Sequence, residues 1–168
     1  MTTNKLFALL LTGGALITGN AFAAAGAAVE QTFSTAEMRP SLTINKSPLK
    51  QYFSGGEVRL DPVYPASDAK THSGAYVTFE PGARTNWHTH PAGQHIIVIS
   101  GVGYTQTWQG ERRTIKAGDV VWCPIGVKHW HGATEQHAMT HLVITGVDDQ
   151  GKNVEWLEPV TDKQYTGK

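Results

Sequence analysis

Short apolar runs separated by turn residues dominate the chain from Tyr52 onward. Within these runs apolar and polar side chains alternate, which is the pattern of strands that bury one face. The pattern predicts strands at residues 58–60, 75–79, 86–90, 94–100, 104–108, 113–115, 120–123, 129–132 and 139–145, with a turn at Gly101-Val102-Gly103. Short strands at such spacing indicate an all-β barrel or sandwich.

The residues before this pattern differ in character. Lys5 precedes an apolar stretch, Leu6 to Ile17, and the small-x-small motif Ala21-Phe22-Ala23 follows. Because the stretch is too short to span a bilayer as a stable helix, we expect residues 1–23 to be a signal peptide that is cleaved after Ala23. The alternative is an uncleaved membrane anchor. Cleavage predicts a periplasmic protein with no membrane attachment, an N-terminal arm at 24–50 and one domain at 51–168 with its core at 75–145.

Composition narrows the classes of partner. The 168 residues suffice for one domain with one core. The 14 basic and 14 acidic side chains cancel, and no basic cluster exceeds Arg112-Arg113, which argues against nucleic acid as a partner. The single cysteine, Cys123, lies in an apolar run and is predicted to be a buried small hydrophobic residue rather than a nucleophile.

Histidine spacing indicates a metal site. Of the eight histidines, all except His72 lie between residues 88 and 141. Strand alternation points His88 and His90 to one face, and Gln94 can join them after a short turn. With His129, three imidazoles and one amide oxygen converge, which predicts a divalent transition metal. These donors suit manganese, iron, cobalt, nickel or zinc, and the sequence does not choose among them.

Two further histidines are candidates near that site. His131 follows His129 by two residues and should face the same interior, either lining the barrel or as a fifth polar group near the metal. His141 lies on the last predicted strand among apolar residues. It is either a core histidine or a general base beside the metal, and the strand pattern alone leaves both open.

Alternation also predicts the pocket wall. Ala75 and Val77 share one strand face, and Ile96 shares the face of Gln94, so these small and branched residues should form an apolar wall. Trp87 and Trp130 each neighbour a candidate ligand in sequence and should therefore face away from it. They are expected to pack on the barrel exterior or in a dimer interface.

Two blocks of this sequence resemble the paired motifs of the cupins. The blocks are Gly82-x5-His88-x-His90-x3-Gln94-x6-Gly101 and Gly118-x5-Pro124-x-Gly126-x2-His129. Residues 79–94, together with the segments around His129 and His141, are similar to bacterial cupins that include the manganese-dependent hydroxynitrile lyases. The resemblance covers roughly residues 75–145.

The resemblance implies a fold and a site. The fold would be a single-domain, all-β, jelly-roll-like cupin barrel, also described as a double-stranded β-helix. A metal, with manganese as the first candidate, would be bound by three histidines and one glutamine, and His141 would be the catalytic base. The implied ligands are His88, His90, Gln94 and His129. The implied pocket residues are Ala75, Val77 and Thr145.

The implied reaction is a metal-dependent lyase reaction on cyanohydrins. Thr145 departs from the glutamine of the lyases, and the signal peptide departs from a cytoplasmic lyase. Two other functions remain open: a metal-dependent dioxygenase of a small aromatic or enediol substrate, and a non-catalytic periplasmic binder of small ligands. We also expect a dimer or tetramer of identical chains, since such barrels commonly pair through sheet edges.

Overall fold

The computed structural model describes residues 34–65 and 72–168, so the predicted signal peptide and the start of the arm lie outside the described residues. The described strands are β1 (Leu42–Thr43), β2 (Phe53–Ser54), β3 (Val58–Tyr64), β4 (His72–Phe79), β5 (Arg84–Thr85), β6 (His88–Thr89), β7 (Gln94–Thr107), β8 (Arg113–Lys116), β9 (Val120–Cys123), β10 (His129–Ala133), β11 (Met139–Gly146) and β12 (Glu155–Trp156). Three short 3-10 helices cover Ala36–Met38, Ile44–Lys46 and Pro48–Tyr52, and one α-helix, α1, covers Asp162–Thr166.

The strands form one curled antiparallel sheet in the order β1-β3-β4-β11-β7-β10-β5-β2. Strand β7 links its two halves. The first part of β7 pairs with β11 and β9, and the last part pairs with β10 and β8. The sheet therefore curls into a half-barrel, and the predicted all-β class is confirmed.

The predicted turn at Gly101-Val102-Gly103 is wrong, because β7 runs through it without interruption. Gly101 pairs with Met139 on β11, and Gly103 pairs with Ala133 on β10, so hydrogen bonding continues on both sides. Gly101 has a φ of 78°, a value that L side chains rarely adopt. The glycines bend the strand from one half of the barrel to the other and do not reverse it.

The inside of the curl holds the main apolar core. Its buried members come from the arm and from most long strands, and they are Ile44, Val58, Val77, Phe79, Ala83, Ile96, Val98, Ile115, Cys123, Ala133, Met139 and Val143. Cys123 is 4% exposed, as its apolar surroundings predicted, and burial raises the pKa of its thiol to about 12. Ile44 is fully buried, and β1 pairs with β3, so the described part of the arm lies on the barrel.

A second apolar cluster lies outside the curl and involves the C-terminal tail, residues 153–168. Trp87 and Trp130 pack there with Val160 and Tyr165. The Tyr165 hydroxyl donates to the Ala133 carbonyl at 2.8 Å. The tail thus covers the two tryptophans that the sequence predicted to face away from the candidate ligands.

Some apolar side chains remain exposed. Ile99, Val120 and Trp122 are each about half exposed or more, at 48%, 62% and 49%. Association of identical chains stays a prediction.

Within the described ranges, none of the helices has the length and apolar character needed to cross a membrane.

The bend in β7 leads to a prediction about two glycines. Gly101 and Gly118 both have positive φ, at 78° and 93°. A Cβ at Gly118 would meet nothing within 4 Å, whereas a Cβ at Gly101 would lie 1.9 Å from the Ala138 carbonyl oxygen. Gly118→Ala should lower the free energy of unfolding by about 1–2 kcal/mol, from the backbone cost alone.

Gly101→Ala should cost clearly more, because Ala138 must also move and its carbonyl accepts a hydrogen bond from the Val102 amide. Urea unfolding of the two variants beside the unchanged protein measures both losses. Equal losses would show that β7 does not need the close approach at Gly101.

Candidate metal centre

The four candidate ligands converge from three elements and a turn. His88 on β6 and His129 on β10 are direct cross-strand partners, and their ring centroids lie 4.3 Å apart. His90 lies in the turn after β6, with its ring centroid 5.0 Å from that of His88 and 5.3 Å from that of His129. Gln94 begins β7, opposite Thr145 on β11. All four side chains are buried.

Backbone carbonyls fix the orientation of the three candidate ligand rings. The Nδ1 atoms of His88 and His129 lie 2.9 Å from the carbonyl oxygens of Asn86 and Val127, each two residues upstream. His90 Nδ1 lies 2.6 Å from a carbonyl that is distant in sequence, that of Asn153. Because a carbonyl can only accept, each Nδ1 carries the proton and donates it, so each Nε2 keeps a free lone pair.

Two of these lone pairs, those of His90 and His129, are buried without partners. Among the described side chains, His90 Nε2, His129 Nε2 and Gln94 Oε1 have no hydrogen-bond partner. Gln94 donates from Nε2 to the Thr145 hydroxyl at 2.9 Å, which turns its oxygen away from Thr145. Buried acceptors without donors are costly unless a cation occupies the space between them. The arrangement fits a divalent metal, whose histidine ligands ordinarily give their other nitrogen to a carbonyl.

His131 lies next to the candidate ligands, a position that the sequence alone left open. Candidate ligand atoms of His88, His129 and His131 all lie within 4.8 Å of one another. His131 Nδ1 also lies 3.2 Å from Nε2 of His141, so its remaining nitrogen, Nε2, is the one available to a metal. His131 and His141 therefore form a buried pair beside the candidate ligands.

All five buried histidines are held neutral. Burial lowers the pKa of His129 and of His141 to about 4, and it lowers the pKa of His90. Burial, followed by the neighbouring imidazoles, sets the pKa of His88 and of His131 well below the usual range. Neutral imidazole is the form that binds metal, so the site is ready for an ion without first releasing protons.

A cavity of about 300 Å³ opens beside the cluster. Of the residues predicted to line a pocket, the structure places four on its wall, namely Ala75, Val77, His131 and Thr145, together with His141. Ile96 differs: it is fully buried in the apolar core and is not among the lining residues, because strand alternation sets the face but not the depth of a side chain. His129 lines a neighbouring cleft of about 390 Å³ instead.

Sequence reasoning missed the part of the wall that the arm and the tail supply. Leu49 comes from the arm, Phe53 from β2 just after it, and Val154 and Trp156 from the tail. The Trp156 ring centroid lies 5.0 Å from that of His88, since β12 pairs with β6. In these segments apolar and polar residues do not alternate over the length of a strand. Only their aromatic residues could have indicated that they contribute to the pocket wall.

This chain is similar to several known proteins. Residues 75–145 match the cupin domain family. An (R)-mandelonitrile lyase from Granulicella tundricola is 56% identical over 110 residues, which are 66% of this chain and 83% of that protein. A cupin-like protein from Thermotoga maritima is 37% identical, with a TM-score of 0.65 over 69% of this chain and 86% of its own.

A polyketide cyclase from Streptomyces resistomycificus has a TM-score of 0.58 over 81% of this chain and 91% of its own. Because only 16% of its residues are identical to this chain, the likeness concerns the fold alone.

The lowered pKa values predict how the metal-free protein responds to acid. In the unfolded chain His129 and His141 take up protons near pH 6.5, but in the folded protein only near pH 4. Stability is therefore complete above pH 6.5 and falls as the pH drops from 6.5 towards 4. The shift of one such histidine corresponds to about 3 kcal/mol.

The measurement is urea unfolding in the presence of a chelator at several pH values across this window. A His129→Gln variant should show a smaller loss of stability on acidification, because one of the responding groups is removed. Stability that stays level, or rises, between pH 6.5 and 4 would contradict the assignment of neutral buried histidines.

Proposed function

We propose that this chain, which belongs to the cupin family, is a metal-dependent C–C lyase that cleaves or forms cyanohydrins. The observation that carries the proposal is that two residues with unpartnered ligand atoms, His90 and Gln94, line one cavity together with a neutral histidine pair. The 56% identity to a protein named (R)-mandelonitrile lyase supports this reaction over the other chemistries of the fold.

The protein ligands in this proposal are His88, His90, Gln94 and His129. Manganese is the ion we favour, with iron, cobalt, nickel and zinc as alternatives that suit the same donors. The bound ion would supply a Lewis acid that lowers the pKa of the substrate hydroxyl. The four side chains hold this position with their Nδ1 and amide hydrogens directed outward to carbonyls and to Thr145.

His141 accepts the hydroxyl proton in the cleavage direction. The bond between the hydroxyl-bearing carbon and the nitrile carbon breaks, its electron pair leaves as cyanide, and the C–O bond becomes a carbonyl. The proton is held on the His141 ring. Because His141 Nε2 lies 3.2 Å from His131 Nδ1, the two rings of the pair can share the charge. In the synthetic direction the same pair returns the proton to the new hydroxyl.

The cavity wall suits such a reaction. Phe53, Phe79 and Trp156 give it an apolar side that can hold an aryl or alkyl group and exclude water. Among the described lining residues there is no carboxylate. An anion such as cyanide is thus not repelled by the protein and offsets the positive charge on the histidine pair.

A direct test is benzaldehyde release from racemic mandelonitrile by protein loaded with manganese. We expect release above the spontaneous background, and its loss when the metal is chelated. His141→Ala should lower the turnover number by about 100-fold or more, since a positioned base contributes roughly that much. Manganese content, measured by elemental analysis, should stay unchanged in this variant.

The matched control is His137→Ala, because His137 is exposed and absent from the described cavity wall. This variant should retain full turnover. Unchanged turnover in His141→Ala would reject His141 as the base. No metal-dependent release from any of several cyanohydrins would reject the lyase, and an oxygen electrode would then test the dioxygenase alternative.

A further inference from the structure

Thr145 contacts the candidate ligand Gln94 at the amide nitrogen, the end opposite the candidate ligand oxygen. It lies on β11, directly opposite Gln94 on β7, and both side chains are about 5% exposed or less. The Thr145 hydroxyl oxygen accepts a hydrogen bond from Gln94 Nε2 at 2.9 Å. At the other end of the same amide, Oε1 is buried without a partner.

A glutamine can bind a cation through only one end of its amide. The oxygen carries lone pairs, whereas the nitrogen carries two hydrogens and repels a cation. When the oxygen faces the centre, the nitrogen must point into the protein, where a buried N–H group without an acceptor destabilises the arrangement. The Thr145 hydroxyl provides that acceptor without adding a charge to the cavity.

We infer that Thr145 is the positioning residue for Gln94, which it holds with the amide oxygen toward the metal. This inference rests on the metal-binding part of the proposed function. His90 receives an equivalent constraint from the Asn153 carbonyl. His90 and Gln94 are the two candidate ligands outside the β6–β10 pair. Each of them therefore donates a hydrogen bond to an acceptor from a distant part of the chain, which fixes its orientation.

The test compares manganese affinity among variants of metal-stripped protein. Thr145→Val keeps the shape of the side chain but removes the acceptor, and it should weaken Mn²⁺ binding by about 10- to 100-fold, as removal of an outer hydrogen-bond partner commonly does. Thr145→Ser keeps the hydroxyl and should stay within a few-fold of the unchanged protein. The readouts are calorimetric titration and the electron paramagnetic resonance signal of free Mn²⁺.

Thr140→Val is a matched control on the same strand. The Thr140 hydroxyl lies 3.0 Å from the Thr78 hydroxyl, and neither residue lines the described cavity. The same substitution there also removes one side-chain hydrogen bond, but it should leave Mn²⁺ affinity unchanged. In a Gln94→Ala background, Thr145→Val should cause no further loss, because the group it positions is gone.

The outcomes separate the two claims. If the unchanged protein binds no divalent metal, both the proposed function and this inference are overturned. If it binds Mn²⁺ and Thr145→Val binds equally tightly, the inference fails while the proposed function stands. Circular dichroism and thermal unfolding of the metal-free variants show whether each is folded, and Thr145→Ala replaces Thr145→Val should the latter not fold.

Discussion

Five imidazole rings pack together inside this barrel only because none of them carries a charge. Burial alone disfavours the imidazolium form, and each neighbouring ring would repel it further. In His88, His90 and His129 a main-chain carbonyl accepts the one ring proton, which leaves the second nitrogen as an acceptor. The interior thus disfavours protonation of the rings and yet contains lone pairs without donors, which a metal cation would satisfy. Such a local conflict is typical of a functional site rather than of a core.

The carbonyls that orient the rings come from different distances along the chain. Those of Asn86 and Val127 are local, so the strands β6 and β10 bring their own orientation with them. The carbonyl of Asn153 comes from the tail, 63 residues after His90. The same tail supplies Trp156 to the cavity wall and Tyr165 to the outer cluster. The tail therefore both orients a candidate ligand and completes the wall of the pocket.

Much of the candidate site could be predicted because its signals are local. Strand alternation and turn residues place His88, His90 and Gln94 together without knowledge of any distant contact. The continuity of β7 could not be predicted, since Gly101-Val102-Gly103 looks like a turn until its partners on β10 and β11 are known. The face of Ile96 followed from the sequence, but its full burial depends on the packing of neighbouring strands, which the sequence does not give.

The low pKa of His141 bears directly on its proposed role. A histidine with a pKa of about 4 is a weak base, so His141 stays unprotonated in water at neutral pH. In the proposed cleavage, however, the proton reaches His141 as cyanide forms beside it, so the cavity gains a positive and a negative charge together. No carboxylate among the described lining residues competes for that proton or repels that anion. Burial makes the imidazolium form of His141 costly, so its formation depends on the cyanide that forms beside it, and the return of the proton from His141 to cyanide is then favourable.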